Sequence, residues 1–277
     1  MNRLAPAGLV FALATVVAQA EAGVSSDPQA DSDGSHTGQA SLWSQAWQYF
    51  DAAEMRQARA EVLHHAGGQS YYLAMGDRLE LQSSDSGDVF VWDVQGYWGS
   101  DINKLFVKTE GESSLDDTSL EDAELQVLWS RAATAFFDVQ AGIRYDQEPD
   151  ALAYAVVGLQ GLAPYQFEID VATFFSQEGD VTARAEVEYD LLLTQRLVLQ
   201  PRLEANFAAQ DIPEVGVGSG LSDLDIGLRL RYEVVREFAP YLGIEWQGSF
   251  GDTADYIRTA GSSRFQLAVM VGVRAWF

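Results

Sequence analysis

From Phe265 to Phe277 the odd positions read Phe, Leu, Val, Val, Val, Ala and Phe, while the even ones read Gln, Ala, Met, Gly, Arg and Trp. Alternation of this length predicts an extended strand with one apolar and one mixed face. The same period recurs upstream. Leu224, Ile226, Leu228, Leu230 and Tyr232 alternate with Asp223, Asp225, Gly227, Arg229, Arg231 and Glu233. Val181 to Leu191 and Phe137 to Asp146 repeat it, as do Tyr165 to Phe175 and Leu197 to Phe207. Looser copies run through Leu73 to Leu81, Phe90 to Trp98, Leu105 to Thr109, Leu125 to Trp129, Ala153 to Leu159 and Leu242 to Trp246. The sum is about twelve strands, an even number that returns both ends of a membrane barrel to the periplasmic side. A strand of roughly ten residues crosses a bilayer when tilted, and a charged face repeated in strand after strand suits a wetted lumen better than a dry core. The pattern therefore predicts an all-β, transmembrane, antiparallel up-and-down barrel over 71–277. A secreted soluble barrel is the alternative.

The segment before residue 71 follows different rules. Residues 1–22 carry Arg3, an apolar run from Leu9 to Val17 and small residues at Ala18, Ala20 and Ala22, the layout of a secretory signal peptide. The apolar run is too short to span a bilayer. Residues 23–41 are mostly Ser, Asp, Gly, Gln and Thr, which predicts a disordered periplasmic tail. Within 42–70, Trp43, Trp47, Phe50, Ala53, Ala58 and Val62 recur at helical spacing, predicting a periplasmic helix or plug from Leu42 to His65 that ends at Gly67-Gly68. Acidic, glycine-rich stretches at 83–88, 113–122, 210–220 and 248–263 are expected to be the longer outer loops. Aromatic residues near strand ends, such as Trp92, Trp98, Tyr165, Phe175, Tyr241, Trp246 and Trp276, are placed as interfacial girdles would require.

Charge and composition narrow the chemistry. The chain has 277 residues and a net charge of −24, so it offers no basic face to phosphates and nucleic acid is not an expected partner. It has no cysteine, which removes disulfides and thiolate ligands. Its three histidines, His36, His64 and His65, all precede the strands, so a Ser-His or Asp-His hydrolase site in the barrel is excluded. Paired carboxylates such as Glu186 with Glu188 and Asp223 with Asp225 are neighbours on one wall, with Arg184, Arg202, Arg229 and Arg231 to balance them. A lumenal salt-bridge lattice is the expected outcome, and no catalytic residue is assigned. For a soft metal ion the candidate ligands are His64, His65 and Met270. Two adjacent helical residues point apart, so a polar helix end is the readier account of the histidines. Met270 is expected on the lumenal face, whereas Met75 shares a face with Leu73 and Leu79.

Particular strings then matter. Tyr72 to Glu80 (YLAMGDRLE), Trp92 to Glu112 (WDVQGYWGSDINKLFVKTEGE), Val139 to Asp146 (VQAGIRYD), Gly161 to Asp170 (GLAPYQFEID), Tyr189 to Glu204 (YDLLLTQRLVLQPRLE), Gly218 to Glu233 (GSGLSDLDIGLRLRYE) and Phe238 to Trp246 (FAPYLGIEW) closely resemble the copper-resistance protein B family. The likeness runs from about residue 60 to the end of the sequence. It implies a Gram-negative outer-membrane barrel embedded in lipid, with copper ions as ligand and a periplasmic multicopper oxidase as partner in copper tolerance. The chain departs from the family in one respect. Family members commonly carry a Met- and His-rich segment before the barrel, whereas residues 23–50 here hold His36 and no methionine. His64 is carried over from the family, whose members tend to place a histidine in this region. The function this implies is copper homeostasis by binding or passing copper ions. Two rivals are a passive cation-preferring channel and a docking protein for the oxidase.

Overall fold

The computed structural model describes residues 49–66, 69–116, 119–148 and 151–277. Its first regular element is the helix α1 (Ala52–Ala66). The Asp51 carboxylate accepts a hydrogen bond from the Ala53 N–H at 3.1 Å, and Asp51 starts the helix as an N-cap. The helix thus begins at Ala52, beyond the expected Leu42; Tyr49 and Phe50 sit in a turn and a bend, and Leu42 to Gln48 lie outside the described residues. The expected signal peptide, tail and Gly67-Gly68 stop also fall outside them.

The strands follow in chain order: β1 (Tyr71–Ser84), β2 (Gly87–Gly99), β3 (Asn103–Ser114), β4 (Leu120–Ala132), β5 (Phe137–Glu148), β6 (Leu152–Ala163) and β7 (Phe167–Ser176). After these come β8 (Val181–Tyr189, resumed at Leu191–Leu192), β9 (Leu197–Ala208), β10 (Gly220–Tyr232), β11 (Phe238–Ser249), the helix α2 (Gly251–Thr259) and β12 (Phe265–Trp276). Each strand pairs antiparallel with its chain neighbours, and β12 pairs with β1, which closes a twelve-stranded barrel. Two further hydrogen bonds between Ala74 and Phe277, at 3.1 and 2.9 Å, complete that seam.

Burial is inverted relative to a soluble domain. Leu81, Val127, Ile143, Val157, Leu228, Leu242, Ile244 and Val269 are exposed on the outside, while Glu80, Gln140, Arg202, Arg229 and Glu245 are buried inside. Alternating apolar-out and polar-in residues on a closed sheet are what a lipid-exposed wall around a wet lumen requires. The sheet closes on itself, so no strand edge is left bare to hydrocarbon. Exposed aromatics ring the end that carries the chain terminus, including Tyr72, Trp98, Phe136, Tyr165 and Phe277. At the opposite end Trp246 packs on Phe265 with ring centroids 5.4 Å apart.

Local departures from alternation have identifiable causes. In β1, Gly76 lies opposite Val94 and Arg78 opposite Asp93, so Asp77 is an extra residue in a β-bulge. The bulge turns Asp77 and Arg78 both into the lumen. Met75 and Leu73 consequently face the lumen while Leu79 faces outward, correcting the reading that put all three on one face. Pro201 has no N–H to donate and stands opposite the place where β8 lapses at Asp190.

The loop expectations need revision as well. At 83–88 the strands run to Ser84 and restart at Gly87, a tight turn in place of a long loop. The stretch 113–122 is strand at both ends, since β3 reaches Ser114 and β4 starts at Leu120. Tyr165, expected in a strand, sits in the turn Pro164–Gln166 with φ of 68°. The stretch 248–263 holds α2, which the strand period could not reveal. Gly218, in the neighbouring outer loop, donates its N–H to the Thr253 hydroxyl at 2.8 Å, with no room for a side chain against α2. In the same loop Ser219 donates its backbone N–H to Asp211 at 2.8 Å and holds that carboxyl below its ordinary pKa.

Candidate functional site

On the lumen wall the strand pattern converges charged groups from many strands, and the structure joins them into a lattice. Arg229 on β10 reaches Glu80 on β1 at 2.8 Å and Glu245 on β11 at 2.9 Å; the Tyr241 hydroxyl donates to Glu80 at 2.8 Å. Arg202 on β9 contacts Glu186, Glu188 and Glu204. Arg144 on β5 bridges Glu124 at 2.7 Å and Asp146 at 2.6 Å, lying over the Phe174 ring at 4.7 Å. Towards the chain-terminal end, Arg274 meets Asp77 at 2.6 Å and Arg231 meets Asp190 at 2.6 Å. Most of these groups are nearly inaccessible. Ions withdrawn from water to this degree are tolerable only when paired.

Some contacts run across the lumen. Lys108 on β3 reaches Asp170 on β7 at 2.5 Å. Arg184 on β8 reaches Glu110 on β3 at 3.0 Å and Glu124 on β4 at 3.1 Å, and stands 3.5 Å from Glu204 on neighbouring β9. Beside this bridge lies an apolar cluster of Phe106, Leu128, Val156 and Phe174, also inside the barrel.

Two cavities occupy the lumen. The outer one, of about 620 Å³, is lined by Glu112, Asp122, Asp223 and Asp225 among others, and roofed in part by Ile212, Val217 and Ile257 from the outer loops. The other, at the chain-terminal end and named periplasm-side after the expected orientation, has about 480 Å³ and is lined by Met75, Asp77, Asp93, Lys104, Lys108, Glu168 and Arg274 among others. Glu110, Phe174 and Arg184 line both. In the outer cavity the carboxylates outnumber the cations that reach them, so its wall attracts cations and repels anions.

Of the candidate metal ligands, Met270 is the one whose side chain the structure describes. Met270 is buried in the lumen wall, where its side chain and that of Arg229 close over Gly243. The Met75 sulfur accepts a hydrogen bond from Arg274 at 3.6 Å and borders the periplasm-side cavity. His64 and His65 belong to the last turns of α1, and their side chains lie outside the described residues. Among the described residues, no cluster of three or more His, Asp or Glu side chains has the spacing of a metal site. What the sequence reading missed was Met75, because the bulge that turns it inward has no signal in a period-two pattern. Gly76-Asp77, a small residue beside a polar one in mid-strand, is the one hint available. Gly227 lies on the lumen face, as its place in the alternation requires. Its missing Cβ leaves room for the Arg229 guanidinium, which a side chain would meet at 2.7 Å.

A closed antiparallel sheet with an apolar exterior, aromatic residues at both ends and an ionic lumen defines a membrane-spanning β-barrel. The family model described as Copper resistance protein B precursor (CopB) matches residues 70–277, and the chain belongs to that family. It is 44% identical over 207 residues to Copper resistance protein B of Escherichia coli, covering 74% of this chain and 69% of that one. It is 43% identical over 216 residues to a Copper resistance protein B homolog of Pseudomonas syringae pv. tomato (strain ATCC BAA-871 / DC3000), covering 78% and 72%. Among solved structures it is similar to the NanC porin, with a TM-score of 0.48 at 11% identity over 74% of this chain and 99% of that one. The KdgM porin gives 0.42 at 11% identity over 74% and 98%.

Proposed function

We propose that the chain is an outer-membrane protein of copper homeostasis whose lumen takes up copper ions and passes them across the barrel without catalysis. The observation that carries this reading is the acidic outer cavity, where Glu112, Asp122 and Asp225 line the wall. Carboxylates alone are hard ligands that discriminate poorly among divalent ions, so preference for copper needs a softer donor. Met75 on the periplasm-side cavity and the imidazoles of His64 and His65 are the donors assigned to that part. A periplasmic multicopper oxidase is the assigned partner, and pull-down with residues 42–70 deleted tests that assignment.

Copper titration of the full refolded chain, with metal counted per chain, tests the reading. With no Met-rich segment before the barrel, the expected capacity is about one or two ions, from the count of soft ligands. Replacing His64 and His65 together with Ala should weaken affinity while the barrel stays folded. No specific copper binding, together with no ion passage through the reconstituted protein, would overturn it. A passive cation-preferring channel is the second reading, favoured by the same acidic cavity; conductance without copper preference would select it.

A further inference from the structure

The geometry points to Arg184 as the gate of the ion path, and as the residue that decides which cations cross. This rests on the reading of the lumen as a path for ions. The outer and periplasm-side cavities meet at Glu110, Phe174 and Arg184. Arg184 stands five strands round the ring from β3, close to the far side of a twelve-stranded barrel, yet its guanidinium touches Glu110 there at 3.0 Å. It also holds Glu124 on β4 at 3.1 Å and lies 3.5 Å from Glu204 on β9. Three carboxylates from three strands therefore converge on one guanidinium, placed where the cavities join. Arg78 approaches Glu110 from β1 at 3.9 Å, and Phe174 underlies the guanidinium with its ring centre 5.8 Å away. The junction is thus crossed by an ionic bridge flanked by an aromatic wall.

A bridge in this position acts as an internal counter-ion. A cation entering from the acidic outer cavity meets carboxylates already neutralised by Arg184, and proceeds only by taking the guanidinium's place on them. Ions that bind carboxylates strongly, such as Cu²⁺, compete for that place; a hydrated K⁺ competes weakly, because its charge is lower and its attraction to each oxygen smaller. An anion would have to compete with three tethered carboxylates for one guanidinium, after crossing a wall of its own charge. Arg184 therefore keeps the bulk alkali conductance low while leaving the path open to a divalent metal ion. Lys108 with Asp170 also crosses the lumen but borders the periplasm-side cavity alone, and Arg144, which shares Glu124, borders the outer cavity alone. Arg229 with Glu80 and Glu245, and Arg231 with Asp190, pair groups along the wall.

The test is planar-bilayer recording on the full chain and on Arg184→Ala, with heat-dependent gel mobility confirming that each variant is an assembled barrel. Arg184→Ala should raise the single-channel K⁺ conductance several-fold and lower the Cu²⁺ to K⁺ permeability ratio read from reversal potentials. Arg184→Lys, which keeps the charge but loses the fork that spans two carboxylates, should fall between the two. If Arg184→Ala fails to assemble, Glu110→Gln carries the test. It loosens the cross-lumen leg while Arg184 keeps Glu124, and it should give a smaller rise in K⁺ conductance with the same direction of selectivity change. A purely structural strut would alter mobility and unfolding but leave the permeability ratio in place. Wild type and Arg184→Ala conducting equally, with equal permeability ratios, would remove the gate and leave ion passage standing. Neither conducting any ion would remove the passage reading and the gate with it.

Discussion

Replacing Arg229 with Met isolates the energetics of the lattice. Arg229 has a side-chain exposure of 3% and bonds both Glu80, which is fully buried, and Glu245, which is 3% exposed. Met matches the length of the stem but leaves two carboxylates in a dry wall without their cation. Breaking a buried pair in this way costs about 3–5 kcal/mol, most of it the penalty of the stranded charge and not the worth of the bond. Glu80 keeps its hydrogen bonds from Tyr241 at 2.8 Å and from Gln82 at 2.8 Å, which places the cost towards the lower end of that range. Adding Glu80→Gln removes one stranded charge, so the double variant should be more stable than Arg229→Met alone. The coupling expected from a double-mutant cycle is about 1–3 kcal/mol. Equilibrium urea unfolding in lipid vesicles, followed by tryptophan emission, reads all four proteins. A loss below about 1 kcal/mol for Arg229→Met would mean that water reaches Glu80, and that the wall is wetter than the contacts require.

Two other perturbations test the faces and the seam. Leu228→Arg puts a charge on the outer face near mid-strand and should cost about 2–4 kcal/mol in the same unfolding assay; a loss close to zero would place that face in water. Deleting Phe277 removes both hydrogen bonds to Ala74, so the amount of assembled barrel recovered from the outer-membrane fraction should fall, and undiminished recovery would show that the last residue is dispensable for closure.

The barrel was legible because a lumen and a lipid phase impose opposite demands on successive residues, and β12, like β10 from Asp223 to Tyr232, answers them by strict alternation. Arg229 and Arg231 could be assigned to the lumen from alternation alone, and the structure places them there with carboxylate partners. Which carboxylate each arginine would find was not legible. Pairing across the lumen depends on barrel shear and on partners as distant in sequence as Glu80 and Arg229. The bulge at Asp77 shifts the phase of β1 by one residue, so Met75 and Arg78 both face inward although one is odd and the other even. What occupies the space beside Gly227 was not legible either, because a sequence shows the absence of a side chain but not the neighbour that fills the gap. The helix α2 escaped notice because its nine residues are polar at most positions and stand among loop-like neighbours.

The seam between β12 and β1 has a consequence for how the molecule is made. Eleven of the twelve strand junctions join chain neighbours, and one joins residues about two hundred positions apart. Hairpins can form in sequence as soon as each pair of strands is available, but the last junction must wait for the final strand and bears the whole loop-closure entropy. Until then the sheet is an open ribbon with two bare edges, β1 and whichever strand came last. Each is a template for a foreign strand. A crowded envelope thus has a window in which the nascent protein can be captured by its own copies. The width of that window is set by the docking of β12 onto Gln82 and its neighbours in β1, and not by the speed of any hairpin.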